Sequence, residues 1–169
     1  MLLAVFSDSH GNLRHMADAV ETYRPDQVLF LGDGVRDAER VRQMFPETRF
    51  IILRGNCDQD PAYEDRALLK LEGVGIFAAH GHEHGVRYSL DKFCTSVLCS
   101  GSALGLYGHT HRPLWQEVRG MQIVNPGSIG SAQQPTFALI RLENGSADCR
   151  ILDAREAVRA EDEHNGGAL

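Results

Sequence analysis

Five apolar runs in this chain each end in residues that bind hard or borderline metal ions. They are Asp8-Ser9-His10, Gly32-Asp33, Gly55-Asn56-Cys57-Asp58, His80-Gly81-His82 and Gly108-His109-Thr110-His111. Any one of them alone reads as an ordinary turn, since Gly-Asp and Asn favour turns and Asx-turns. The series does not. Setting aside His164 near the carboxyl end, five of the remaining seven histidines fall inside these motifs. Ligands of open α/β sheets collect beyond the carboxyl ends of strands, so the motifs are expected on one face. Asp, His and Asn without a thiolate cluster suit Mn, Fe, Zn, Co or Ni better than a structural Cys-rich zinc site. Together the motifs supply at least seven such ligands. They are too many for one ion. With one carboxylate shared they form two sites ~3.5–4 Å apart, the arrangement of phosphate-ester hydrolysis. Two divalent ions outweigh two aspartates, which leaves a locally positive pocket suited to a phosphate.

The elements that must position these groups are legible from apolar spacing. Leu2–Phe6, Val28–Leu31 and Phe50–Leu53 are short continuous apolar runs, which suits strands buried on both faces. Between them lie two helical stretches, one over Leu13–Tyr23 with Asn12 as its cap and one over Val35–Phe45 stopped by Pro46. The alternation predicts an α/β fold whose first sheet is mostly parallel. Further strands are expected at Ala67–Leu71, Gly75–Ala79 and Leu104–Tyr107, with a helix over Leu90–Ser100. Four late runs, Trp115–Val118, Gln122–Val124, Phe137–Leu142 and Asp148–Leu152, read as a second, more antiparallel sheet. Asn144-Gly145 between the last two marks a primed hairpin turn. The expected architecture is two mixed sheets packed as a sandwich and flanked by helices.

Composition bounds the reading. The chain has 169 residues with 17 basic and 23 acidic side chains, a net charge of −6. That length suits a single domain with an ordinary core. The acidic balance argues against a broad nucleic-acid or anionic-membrane surface. No apolar run is long enough for a membrane span, and the amino-terminal stretch lacks the basic region of a secretory signal. Four cysteines without a CxxC pair fit a reduced cytoplasm. The expected domain covers residues 1–153, and the charged stretch 154–169 reads as a flexible tail.

The ordered series SDSHGN, GD, RGNCD, HGH, GHTHRP and NPGS resembles the calcineurin-like metallophosphoesterase superfamily over about residues 1–152. The compact size is similar to its small bacterial and archaeal phosphodiesterase branch. That branch is related to a non-enzymatic retromer subunit of the same fold. The resemblance implies that Asp8, His10 and His111 hold one metal, that Asn56, His80 and His109 hold a second, and that Asp33 bridges both. It also implies attack on phosphorus by a metal-bridging hydroxide without a covalent intermediate. A small phosphate ester, in the first place a diester, would be the substrate. Mn is the ion favoured by similarity, and a homo-oligomer, dimer or tetramer, fits the branch. A phosphomonoesterase and a metal-binding scaffold like the retromer subunit are the competing readings.

One position departs from the broader superfamily, where a histidine taken as the general acid stands at Cys57. A thiol is a weak hydrogen bonder and a poor substitute. His82, two residues from His80, is the candidate to supply the proton instead. Asp58 then reads as a cap or turn residue, and NPGS as a structural turn near the site. His84 and His15 are expected at the surface, and Arg112 in an outward ion pair or, alternatively, on a phosphate.

Overall fold

The computed structural model describes residues 1–156. In the first sheet β1 (Leu2–Phe6), β2 (Gln27–Phe30) and β3 (Arg49–Ile52) run parallel, with α1 (Arg14–Tyr23) and α2 (Val35–Met44) as the connections. Alternate side chains of these strands enter two different cores. Ala4, Phe6, Val28 and Phe30 pack beneath α1 and α2 with Met16, Val20, Ala38 and Val41. Leu3, Val5, Leu29 and Leu31 face the second sheet. This double burial is why the runs are apolar at every position rather than at every other one.

The second sheet has the order β4 (Arg66–Leu71), β5 (Val74–Ala79), β6 (Leu104–Tyr107), β8 (Met121–Asn125), β7 (Leu114–Val118). Its inner face contributes Ile76, Ala78, Leu106 and Val124 to the core between the sheets. Its outer face is covered by α3 (Asp91–Cys99), whose Phe93 and Val97 pack on Phe77, Tyr107 and Ile123. The result is a sandwich of two mixed five-stranded sheets with helices on both outer faces.

Three expectations change. The last two strands, β9 (Thr136–Glu143) and β10 (Ser146–Asp153), join the first sheet, not the second, with β9 antiparallel to β1. Burial explains the choice. Phe137 stacks on Phe6 at 5.3 Å on the helix side, while Ala138, Ile140 and Leu142 fill the core between the sheets. An address beside β1 serves both faces of β9. The hairpin itself is as expected, since Asn144 and Gly145 have φ of 50° and 80°. Asn12 does not cap α1: the cap position falls on Leu13, and the Asn12 N–H closes a turn on Ser9 O at 2.9 Å. Ala154, placed in the tail by composition, is fully buried and donates its N–H to Pro135 O at 2.8 Å. Residues 157–169 of that tail lie outside the described residues. Among the described residues, no helix is long and apolar enough to cross a membrane.

Candidate metal centre

The carboxyl ends of β1, β2 and β3 from one sheet and β5 and β6 from the other meet at one edge of the sandwich. Asp8 and His10 follow β1, Asp33 follows β2, His80 follows β5, and His109 and His111 follow β6. Their ligand atoms come together. His111 Nε2 lies 3.1 Å and His10 Nε2 3.8 Å from Asp8 Oδ1, and the two imidazole nitrogens are 3.2 Å apart. His80 Nε2 lies 3.4 Å from Asp33 Oδ2 and 4.0 Å from Asp8 Oδ1. Asp8, His10 and His111 form one group within ligand distance, and Asp33, His80 and His109 form another. Asp33 Oδ2 is also 4.0 Å from His10 Nε2, so it reaches both. Asn56 lies exposed on the turn after β3, its amide 3.4 Å from Cys57 Sγ.

The chemistry of these donors calls for a cation. His80 Nδ1 is 3.0 Å from Leu31 O, an atom that only accepts, so Nδ1 carries the proton. In the neutral ring Nε2 is then a bare lone pair. It is fully buried, faces two carboxylates and has no hydrogen-bond partner among the described residues. Asp8 Oδ1 is equally buried and equally without a hydrogen bond of ordinary geometry. Buried polar atoms are nearly always satisfied. Carboxylate oxygens and imidazole nitrogens that converge this closely without ordinary hydrogen bonds fit divalent ions, which would be held by Asp8, His10, Asp33, His80, His109 and His111.

The backbone is bent to make this possible. Asp8, His10, Asp33, His109 and His111 all have positive φ, between 46° and 66°. Each such non-glycine residue costs roughly 1–2 kcal/mol, so surrounding contacts must impose the conformation. Asp58 is one of them. Its carboxylate accepts the N–H groups of Asp33, Gly34, Val35 and Gly55 at 2.7–3.0 Å, capping α2 and tying the β2 and β3 loops together. Asp37, on the first turn of α2, accepts from Ser9 Oγ at 2.6 Å and Gly11 N at 2.8 Å, which anchors the loop of Asp8 and His10. Across the sheets, Asp8 Oδ2 accepts the His109 N–H at 3.0 Å. The NPGS turn closes the frame: Asn125 Nδ2 donates to Gly108 O at 2.9 Å, and Ser128 Oγ to Asp8 O at 2.7 Å. Gly55 leaves no room for a side chain, because a Cβ there would lie 2.1 Å from Asp33 Oδ1.

Electrostatics follow from the same contacts. Burial alone would raise the Asp33 carboxyl, but contact with and charge from His80, with the Cys57 amide, hold it well below the usual carboxylate range. Burial and then the charge of His80 lower His109 to about 4, which keeps its ring free to bind metal at neutral pH. Contact with Asp8 raises His111. Burial, followed by the neighbouring Asp33, pushes the Cys57 thiol up to about 11.

The other expectations divide. His82 is half-buried, its ring centroid 5.5 Å from that of His80 and 6.2 Å from that of His109, so it borders the cluster. His84 is buried rather than exposed, edge-on to Phe77 and Phe93. His15 is half-buried. Arg112 is exposed and forms no ion pair among the described residues. Asn125 and Ser128 bear out the reading of NPGS as a structural turn near the site, while no local signal marks Asp37, whose partners are distant in sequence. A cavity of about 480 Å³ opens beside the cluster, lined by His10, Asp33, Val35, Arg36, Cys57 and Gln59 among others.

Residues 1–145 match the calcineurin-like phosphoesterase superfamily domain, and the chain belongs to that family. Among curated relatives, a probable metallophosphoesterase of Bacillus subtilis, YsnB, is 27% identical over 156 residues, covering 90% of this chain and 91% of its own. The phosphodiesterase MJ0936 of Methanocaldococcus jannaschii is 24% identical, covering 75% and 83%. Among solved structures, a conserved uncharacterized protein of Streptococcus pneumoniae assigned to the phosphoesterases superposes with a TM-score of 0.77 at 24% identity, covering 91% and 90%. Vps29 of Entamoeba histolytica in complex with Zn2+ superposes at 0.74 with 21% identity, covering 91% and 99%.

Proposed function

We propose that this protein is a dinuclear metal-dependent phosphoesterase acting by preference on small phosphodiesters. The observation that carries the reading is the buried pair His80 Nε2 and Asp8 Oδ1, neither with a hydrogen-bond partner among the described residues and each facing further candidate ligands. Asp8, His10 and His111 hold one ion and His80, His109 and Asn56 the other, with Asp33 shared; Mn is favoured by family likeness. When bound, such ions neutralise phosphoryl oxygens and acidify water. The remaining work falls to the chain. The cavity beside Asp33 and Cys57 receives an ester substituent. Water replaces one ester oxygen on phosphorus, and the departing alkoxide takes its proton from His82, which borders the cluster. A phosphodiesterase among the relatives supports the diester preference.

The fold is shared with Vps29, which favours a second reading as a metal-binding scaffold. The sequence fills all seven ligand positions that the family resemblance implies, which weighs against it. Hydrolysis of bis-p-nitrophenyl phosphate beside p-nitrophenyl phosphate decides, measured after chelation and again with Mn, Ni, Co, Zn or Mg restored. Diester cleavage is expected to vanish with the metal, return with it, and be lost in Asp33→Ala. Two bound equivalents with no hydrolysis under any metal would transfer the protein to the scaffold reading.

A further inference from the structure

A guanidinium stands beside the metal cluster without a carboxylate to balance it. The 3-10 turn His82–His84 ends at Gly85, whose φ of 65° turns the chain back toward β6. Tyr88 and Ser89 return their N–H groups to Gly85 O at 2.9 Å and 3.3 Å, so residues 85–89 form a tight bend with Arg87 on it. The Arg87 side chain is exposed, and its Nη2 donates to the carbonyl oxygen of His109 at 3.3 Å. That is its single hydrogen bond among the described residues, and no carboxylate lies within ion-pair distance. Its place beside two candidate ligands, rather than the lack of an ion pair, sets it apart, since Arg112 among others is also unpaired.

The placement suits an anion. Resting on the metal-dependent reading above, two divalent ions at the cluster would repel a guanidinium fixed on the backbone of one of their ligands. An anion between them reverses the sign. Arg87 has five donors, one of them engaged, and its planar fork matches two oxygens of a tetrahedral phosphate. The net charge of −6 argues against a broad basic surface as the reason for a cation here. We propose that Arg87 is a substrate-binding residue that grips non-bridging oxygens of the phosphoryl group from the His109 side of the site.

The test titrates inorganic phosphate into metal-loaded protein by calorimetry, for the wild type, Arg87→Lys and Arg87→Met, with metal affinity measured for each. Arg87→Met is expected to bind phosphate about tenfold or more weakly, as loss of a charge-assisted hydrogen bond implies, with Arg87→Lys recovering part of it. Metal affinity is expected to hold or improve, because a repelling charge is gone. Unchanged phosphate affinity in Arg87→Met overturns the proposal. So does a fall in metal affinity that matches the fall in phosphate affinity, which would make Arg87 a positioning residue for His109. A metal-loaded wild type that neither binds phosphate nor cleaves a diester has a different signature and sinks the phosphoesterase reading with it.

Discussion

Cys57 is the residue at which this site departs most from the wider superfamily it belongs to. Its N–H donates to Asp33 Oδ1 at 2.8 Å, so the backbone at this position still serves the centre. Its side chain serves less well. With its pKa pushed up to about 11, the thiol gives a leaving alkoxide little assistance at neutral pH. General-acid catalysis contributes typically 10²–10⁴-fold, and it matters most when the leaving group is poor. Cys57→His is therefore expected to raise turnover of an alkyl phosphodiester by ~10²-fold while changing bis-p-nitrophenyl phosphate little. Parallel rate measurements on the two substrates check this. If neither rate moves in Cys57→His while His82→Gln slows the alkyl ester, the proton comes from His82 alone. Asp58 is the complementary case. Read from sequence as a cap or turn residue, it is that and more, because its four amide partners hold the Asp33 loop and the Gly55 turn in one geometry.

At the scale of elements, the short turn His82–His84 joins function to the core beneath α3. His82 looks toward the cluster, whereas His84 packs edge-on to Phe77 at 5.7 Å and Phe93 at 5.4 Å. Burial, and then the charge of Lys92, lowers the His84 pKa from 6.5. Just below pH 6.5 the unfolded chain therefore binds more protons at this position than the folded one. Stability is fully present above that pH and declines as pH falls through 6.5 toward the lowered folded value. His84→Leu removes this contribution. In chelator, the urea midpoint of the wild type is expected to drop further between pH 7.5 and 5.5 than that of His84→Leu. His109 shifts in the same direction but is common to both proteins, so it cancels in the comparison. Parallel pH dependences in the two proteins would count against a buried, neutral His84.

At the scale of the molecule, Asp8 and Asp33 of the first sheet face His80 and His111 of the second at the site edge, where a cation between them would draw the two sheets together. Ions that bind the folded chain alone stabilise it by ~2.7 kcal/mol at a hundredfold excess over Kd. For a domain of this size that is a rise in Tm of roughly 5–10 °C. Calorimetry with and without Mn after chelation measures it, and Asp8→Asn should abolish most of the rise. An equal Tm in both conditions would argue that no ion bridges the sheets. Much of this was legible in the chain itself. The strand and helix pattern, the two-sheet class and the five strand-end motifs rest on local spacing, because each ligand sits within a few residues of the strand that carries it. Tertiary structure alone decided the rest. β9 and β10 went to the first sheet because the two faces of β9 match two cores, which depends on neighbours more than a hundred residues away. Asp37 became an anchor, His84 became buried and Arg87 came to the cluster by contacts across loops. Sequence spacing reports the side chains a strand end carries; which distant backbone they meet is a property of packing.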